Sequence, residues 1–242
     1  MEKIRLYCLP FAGGNKYSYR EYEQKAPPSL RVIPLEYPGR GARSQEPLLS
    51  EINAIVNDLY QQIASETTKG TYAIYGHSMG GITAFLLTRK LIVNGMPPPV
   101  HLFITGTMGP SAKSRSEKKR HLMEKQKFIE EIKALDGLPD EILAHDELLD
   151  YFEPILRADF RATETYSYQQ AAPLQLPFTV ITGTEEPMTI EDIHLWQKET
   201  SFTVDFRQLP GKHFFISKYP ADVLAIISEK LSVQPKSISN EI

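Results

Sequence analysis

The chain has 242 residues, with 27 Lys and Arg against 30 Asp and Glu for a formal net charge of −3, and 41% of its residues are hydrophobic. Its 14 Gly and 18 Pro fall well short of the roughly 25–30% that marks low-complexity chains, so a disordered protein is excluded and one α/β domain, with or without a sizeable insertion, is expected. The single cysteine, Cys8, excludes an internal disulfide scaffold and a thiolate metal cluster, and the near-neutral balance excludes a uniformly basic nucleic-acid surface.

Taken in chain order, Met1-Glu2-Lys3-Ile4-Arg5 lacks the basic-then-apolar order of a signal peptide, and no apolar run approaches the roughly 18 residues of a membrane span. A cytoplasmic monomer with no membrane or nucleic-acid partner is expected. Ile4–Leu9 reads as a strand and leads into Leu9-Pro10-Phe11-Ala12-Gly13-Gly14, whose small residues leave backbone N–H groups free to face a ligand. Arg31–Leu35 is a second strand, Leu48–Ala64 a helix with apolar residues three and four apart, and Thr71–Tyr75 a third strand running into Gly76-His77-Ser78-Met79-Gly80-Gly81 and a helix over Met79–Val93. Val100–Thr105 is a fourth strand. From 109 to about 175 only helical stripes appear: Leu122, Phe128, Ile129, Ile132 and Leu135, then Leu148, Leu149, Phe152, Ile155, Leu156 and Phe160. Strands return at Phe178–Thr182 and Phe202–Arg207, separated by a helix over Ile190–Lys198. A last helix over Ala221–Leu231 precedes a polar tail, Ser232–Ile242.

Strands alternating with helices imply right-handed crossovers and a mostly parallel sheet covered on both faces. The helical interval then lies over the C-terminal strand ends, where ligands bind in such sheets, and is placed to act as a lid.

The chemistry concentrates at G-x-S-x-G. A serine on a tight strand-to-helix turn needs neighbours almost without side chains two residues before and after, which Gly76 and Gly80 supply. Ser78 is then lifted above the sheet at a helix N-terminus, with the amide of Met79 placed to stabilise an oxyanion. A serine nucleophile requires a base. Of six histidines, His213 alone sits on a glycine turn, Leu209-Pro210-Gly211-Lys212-His213, between the last strand and the last helix. An orienting carboxylate belongs on a loop after a late strand, and Gly183-Thr184-Glu185-Glu186-Pro187 offers Glu186, with Glu185, Asp192 and Asp205 as alternatives. The second oxyanion amide is assigned to Ala12 in the loop after the first strand.

Leu9-Pro10-Phe11-Ala12-Gly13-Gly14, Tyr37-Pro38-Gly39-Arg40-Gly41, Gly76-His77-Ser78-Met79-Gly80-Gly81, Leu156-Arg157-Ala158-Asp159-Phe160-Arg161 and Gly211-Lys212-His213-Phe214-Phe215, in this order, resemble the type II thioesterases of non-ribosomal peptide and polyketide synthesis. The chain is similar also to the medium-chain thioesterase that acts with animal fatty acid synthase. The resemblance implies an α/β-hydrolase fold with a helical lid. It further implies hydrolysis of acyl or aminoacyl groups from the phosphopantetheine arm of carrier proteins, with no metal or bound cofactor. The alternatives are a medium-chain acyl-carrier-protein thioesterase of fatty acid synthesis or a carboxylesterase acting on free small esters, since one triad serves all of these reactions. The family usually carries Asp where this chain has Glu186, and the extra methylene requires the loop to retreat by about 1.5 Å. Finally, Lys113–Lys127 holds seven basic residues against Glu117 and Glu124, a local balance of +5 within a chain of −3. That charge suits either steering of an acidic carrier protein or a merely solvated helix face.

Overall fold

In the computed structural model, residues 3–135 and 145–232 are described. Six strands, β1 (Ile4–Leu9), β2 (Leu30–Pro34), β3 (Tyr72–His77), β4 (Leu102–Thr105), β5 (Phe178–Gly183) and β6 (Asp205–Leu209), form one all-parallel sheet in the order β2-β1-β3-β4-β5-β6. A parallel sheet must be roofed on both faces, and the two-residue period of the strands supplies both. Tyr7, Leu9, Ile74, Leu102, Ile104, Phe178 and Val180 meet helices α2 (Ile52–Thr67) and α3 (Met79–Val93) through Ile55, Leu59, Ile63, Phe85 and Leu87. The alternate residues Leu6, Cys8, Ala73, Tyr75, Phe103 and Ile181 meet Tyr22 of α1 (Arg20–Lys25) together with Tyr19 on the other face. The C-terminal helix, Pro220–Ser232, packs there through Val223, Leu224 and Ile227.

Between β4 and β5 the described residues form short 3-10 turns and two longer helices, α4 (Lys125–Ala134) and α5 (Asp146–Glu164). The stripe of α5 faces inward at Leu149, Ile155 and Leu156, while Leu148 and, before α4, Leu122 stay exposed. Phe128, Ile132 and Leu156 make a small separate core that joins the two helices. Between β5 and β6 lies α6 (Ile190–His194), followed by a 3-10 turn over Leu195–Glu199. After β6 come α7 (Phe215–Lys218) and α8 (Pro220–Ser232), the latter with Pro220 at its first position, where a missing N–H costs nothing.

The last strand departs from the sequence reading, starting three residues later than Phe202. Phe202 is 46% exposed, and β6 is an edge strand built on Asp205, Arg207 and Gln208 that pairs Thr179 with Asp205 and Gly183 with Leu209. Helix α2 begins at Ile52, so Leu48 and Leu49 precede it, and the helix expected over Ile190–Lys198 divides into α6 and the 3-10 turn. The expected insertion also ends earlier than 175: Leu174 is buried in the main core and bridges to Thr200. The tail expected after Ser232 lies outside the described residues, as does 136–144 of the insertion.

Candidate active site

Ser78 follows β3, which lies between β1 and β4, and has φ 56° and ψ −117°. It is the one non-glycine residue with positive φ among the described residues. The conformation costs roughly 1–3 kcal/mol and persists only where the surroundings over-determine it. Here the Ser78 amide donates to Thr105 O at 2.8 Å, and strand and helix approach so closely that a Cβ on Gly76 would stand 2.0 Å from Gly80 O. Met79 is the first residue of α3, so its N–H has no partner within the helix.

The loops after β5 and β6 are laced together by backbone bonds, Thr184 N–H to Leu209 O and Glu185 N–H to Gly211 O, both 2.9 Å. A Cβ on Gly183 would lie 2.4 Å from Gly211 O, which is why the crossing needs glycine. The lacing brings Glu186 Oε1 to 2.6 Å from His213 Nδ1, while Glu186 Oε2 accepts the Gly183 N–H at 2.8 Å. Folding back onto its own strand end takes up the extra methylene of the glutamate. The Glu186 side chain is 2% exposed and that of His213 17%. Glu185 is exposed, Asp192 accepts the Ser114 hydroxyl, and Asp205 pairs with Arg207 and Lys230, so none of the three occupies the place beside His213. Ser78 Oγ and His213 line the same cavity but form no hydrogen bond with each other. His77 points beneath the site. Its ring packs 4.8 Å from that of His213, its Nδ1 meets Thr105 Oγ1 at 2.9 Å, and its buried Nε2 has no partner. Burial, reinforced by neighbouring His213, holds its pKa well below the ordinary histidine value, so it is a neutral floor for the imidazole above.

Several polar groups of the loop after β1 are engaged. Leu9 O accepts from the Tyr19 hydroxyl, Pro10 O from the Tyr37 hydroxyl, and Phe11 O from the Gly14 amide. The Gly13 amide donates to Asp159 Oδ2 on α5 at 2.8 Å. Among the described residues the Ala12 amide has no such partner, and Ala12 lines the cavity with Ser78, Met79 and His213. That cavity measures about 380 Å³ and is closed on one side by Phe160, Thr163 and Glu164 of α5. A second recess of about 50 Å³ meets it at Ser78 and His213 and is lined by Ile132, Leu135, Leu156 and Phe160.

Three residues with no role in the sequence reading belong to this picture. Arg40 and Asp159, 119 positions apart, form a bidentate ion pair at 2.5 and 2.7 Å with side chains 3% and 0% exposed. Arg115 lines the cavity, donating through Nη2 to Thr107 Oγ1 and Met108 O, and its buried Nε lacks a partner. Burial pulls its pKa down to about 10, so it remains charged at neutral pH. No local spacing could have announced these contacts. The basic segment, conversely, is less free than its charge count suggests. Lys118 pairs with Glu131, Arg120 with Glu131 and Glu164, and Lys125 with Asp150.

A family model described as a thioesterase domain matches residues 4–231. The chain is 29% identical to thioesterase PikA5 of Streptomyces venezuelae, over 95% of this chain and 82% of that protein. It is 30% identical to the medium-chain S-acyl fatty acid synthase thioesterase of Rattus norvegicus, over 89% of this chain and 82% of the relative. Among solved structures, that of ClbQ from the colibactin NRPS/PKS pathway superposes with a TM-score of 0.90 at 33% identity, covering 96% of this chain and 98% of that one.

Proposed function

Because the chain belongs to the thioesterase family and is an acyl thioesterase of the α/β-hydrolase fold, we propose that Ser78, His213 and Glu186 form its catalytic triad, with the amides of Met79 and Ala12 as the oxyanion hole. The observation that carries the reading is a serine strained onto a strand-to-helix turn in one cavity with a His213–Glu186 pair at 2.6 Å. Its activity is that of the type II thioesterases of non-ribosomal peptide and polyketide synthesis, the editing and regeneration of carrier arms. The substrate is then an acyl or aminoacyl thioester on the phosphopantetheine of a carrier protein, met by a cytoplasmic monomer. Among the described residues no helix is long and apolar enough to cross a membrane.

The geometry supports a two-step acyl transfer. Glu186 accepts the Nδ1–H of His213, which leaves Nε2 as the base. As Ser78 Oγ attacks the thioester carbonyl its proton passes to Nε2, and the oxyanion is held by the Met79 and Ala12 amides, the former at the positive end of α3. Collapse breaks the C–S bond, and the thiol leaves with the proton from His213. Water then gives its proton to His213, adds to the acyl-serine, and releases the acid with Ser78 restored. Nothing in this sequence calls for a resident metal or cofactor beyond the arm that bears the substrate.

The test is mass spectrometry of a carrier protein loaded in turn with acetyl, aminoacyl and medium-chain groups, with Ser78→Ala as control. Release by the parent and none by Ser78→Ala is expected. Faster hydrolysis of a simple oxygen ester of the same acid than of the carrier thioester would instead make the protein a carboxylesterase.

A further inference from the structure

The oxyanion loop is not held by the sheet alone. Leu9 is the last residue of β1, and beyond it the backbone of residues 10–14 has no strand partner. Among the described residues its hydrogen bond to the helical insertion runs through Asp159. This carboxylate, fully buried, accepts the Gly13 amide and Arg40 Nη1 on Oδ2 and Arg40 Nη2 on Oδ1, and Arg40 Nη1 also reaches Gly14 O at 3.4 Å. The Gly13 amide is adjacent in the chain to the amide of Ala12. One helical turn before Asp159, Leu156 presses on the same loop so closely that a Cβ on Gly13 would fall 2.6 Å from its Cδ2. Phe160, the residue after Asp159, lines the cavity. The helix that walls the substrate cavity therefore also holds the catalytic loop.

We propose that Asp159 and Arg40 are positioning residues that set the Ala12 amide through Gly13, so that the oxyanion hole is complete only while α5 is seated against the loop. This rests on the assignment of Ala12 as oxyanion donor. The physical argument is that a carboxylate and a guanidinium removed from water must remain paired. Lifting α5 would part the two charges, leave Arg40 with Gly14 O as its acceptor on the loop, and strip the Gly13 N–H of its acceptor, so docking of the helix and order in the loop form one event. Because the oxyanion is absent from the bound substrate and develops only on the way to the tetrahedral intermediate, the pair acts on turnover and not on substrate affinity.

The experiment compares wild type with Asp159→Asn and with the double variant Arg40→Met/Asp159→Leu, whose apolar replacement leaves no unpaired charge. Readouts are the thermal unfolding midpoint, kcat and KM for S-acetyl pantetheine, and the rate of Ser78 labelling by a fluorophosphonate. For folded variants we expect kcat to fall on the order of 10- to 100-fold, less than or similar to outright loss of one oxyanion donor. KM is expected to stay within about twofold, and labelling to slow with kcat. Should Asp159→Asn fail to fold, the double variant carries the test. A folded double variant with wild-type kcat overturns the proposal, as does a defect confined to KM. A wild type that cannot hydrolyse the thioester refutes the thioesterase activity instead. The pair is then judged on labelling alone, where a wild-type rate in the folded double variant overturns it.

Discussion

Gly80→Ala probes the crowded junction between α3 and the end of β1. An added Cβ would lie 2.2 Å from Leu9 O and 2.8 Å from Pro10 O, whereas ordinary contact begins at 3.4 Å. Helix α3 and the end of β1 must therefore part by about 1 Å. Neither oxygen is free to yield, because Tyr19 holds Leu9 O at 2.7 Å and Tyr37 holds Pro10 O at 2.9 Å. Overpacking costs about 1–3 kcal/mol and the loss of each of the two neutral hydrogen bonds about 1 kcal/mol, so a total of about 3–5 kcal/mol is expected. That is a large share of a typical stability of about 5–15 kcal/mol, but it leaves a folded protein for assay. The same displacement separates Met79 from the loop bearing Ala12, and a misplacement of about 1 Å at a reacting centre costs on the order of 100-fold in rate. Urea unfolding and thioester turnover measure the two effects. Gly95→Ala is the control: its φ is +74° but nothing lies within 4 Å of the new Cβ. It should lose only about 1–2 kcal/mol of backbone conformational energy and keep full turnover. Gly80→Ala within 1 kcal/mol of wild type and fully active would refute the reasoning (a bound of about one hydrogen bond).

Glu186→Gln should cut kcat on the order of 1,000- to 10,000-fold, with Glu185→Gln near wild type. The Gly183 N–H requires an oxygen at one end of the side chain, so the amide nitrogen must face His213 Nδ1 and impose the tautomer that cannot accept the serine proton. Equal effects of the two substitutions in steady-state assays would contradict this assignment. His101 gives a pH dependence. Burial first, then Lys230, lowers its pKa to about 4 in the folded protein, so its contribution to stability is complete above about pH 6.5 and is lost as pH falls toward 4. The loss amounts to about 3 kcal/mol, and chemical denaturation across that window should show a shallower slope for His101→Gln. An unchanged slope would place the acid sensitivity elsewhere. Lys119 is exposed and has no ion pair among the described residues, so Lys119→Glu tests carrier steering without breaking the contacts of Lys118 and Arg120. Turnover of an acylated carrier at low salt should slow a few-fold while that of S-acetyl pantetheine stays constant; equal rates on the carrier would remove this face from docking.

What the sequence made legible were features imposed by local geometry. The elbow could be read because Gly76 is demanded by the backbone of Gly80 four residues on, although Gly80 itself answers to the distant Leu9 and Pro10 oxygens, and the sheet because alternate residues of β1, β3 and β5 must serve two cores. The edge strand β6 was misplaced because it buries one face only partly, so the apolar Phe202 outweighed the polar pairs that form the ladder. Arg40, Asp159 and Arg115 were unreadable for a different reason. Arg40 and Asp159 meet across 119 positions, Arg115 turns back onto Thr107 and Met108 in an irregular loop, and no spacing encodes which charge of such a segment turns inward. The basic run near 113–127 shows the same limit, since Glu131, Glu164 and Asp150 answer it from helices further along the chain.

Cys8 sits fully buried in β1, with burial pushing its thiol well above the ordinary range, so it stays unreactive while the protein is folded. In a colorimetric thiol assay with a disulfide dye, every equivalent released therefore comes from cleaved substrate, with no signal from the enzyme. One extra equivalent per chain will register only when the sheet opens. The same cuvette thus follows turnover and, separately, reports the moment of denaturation.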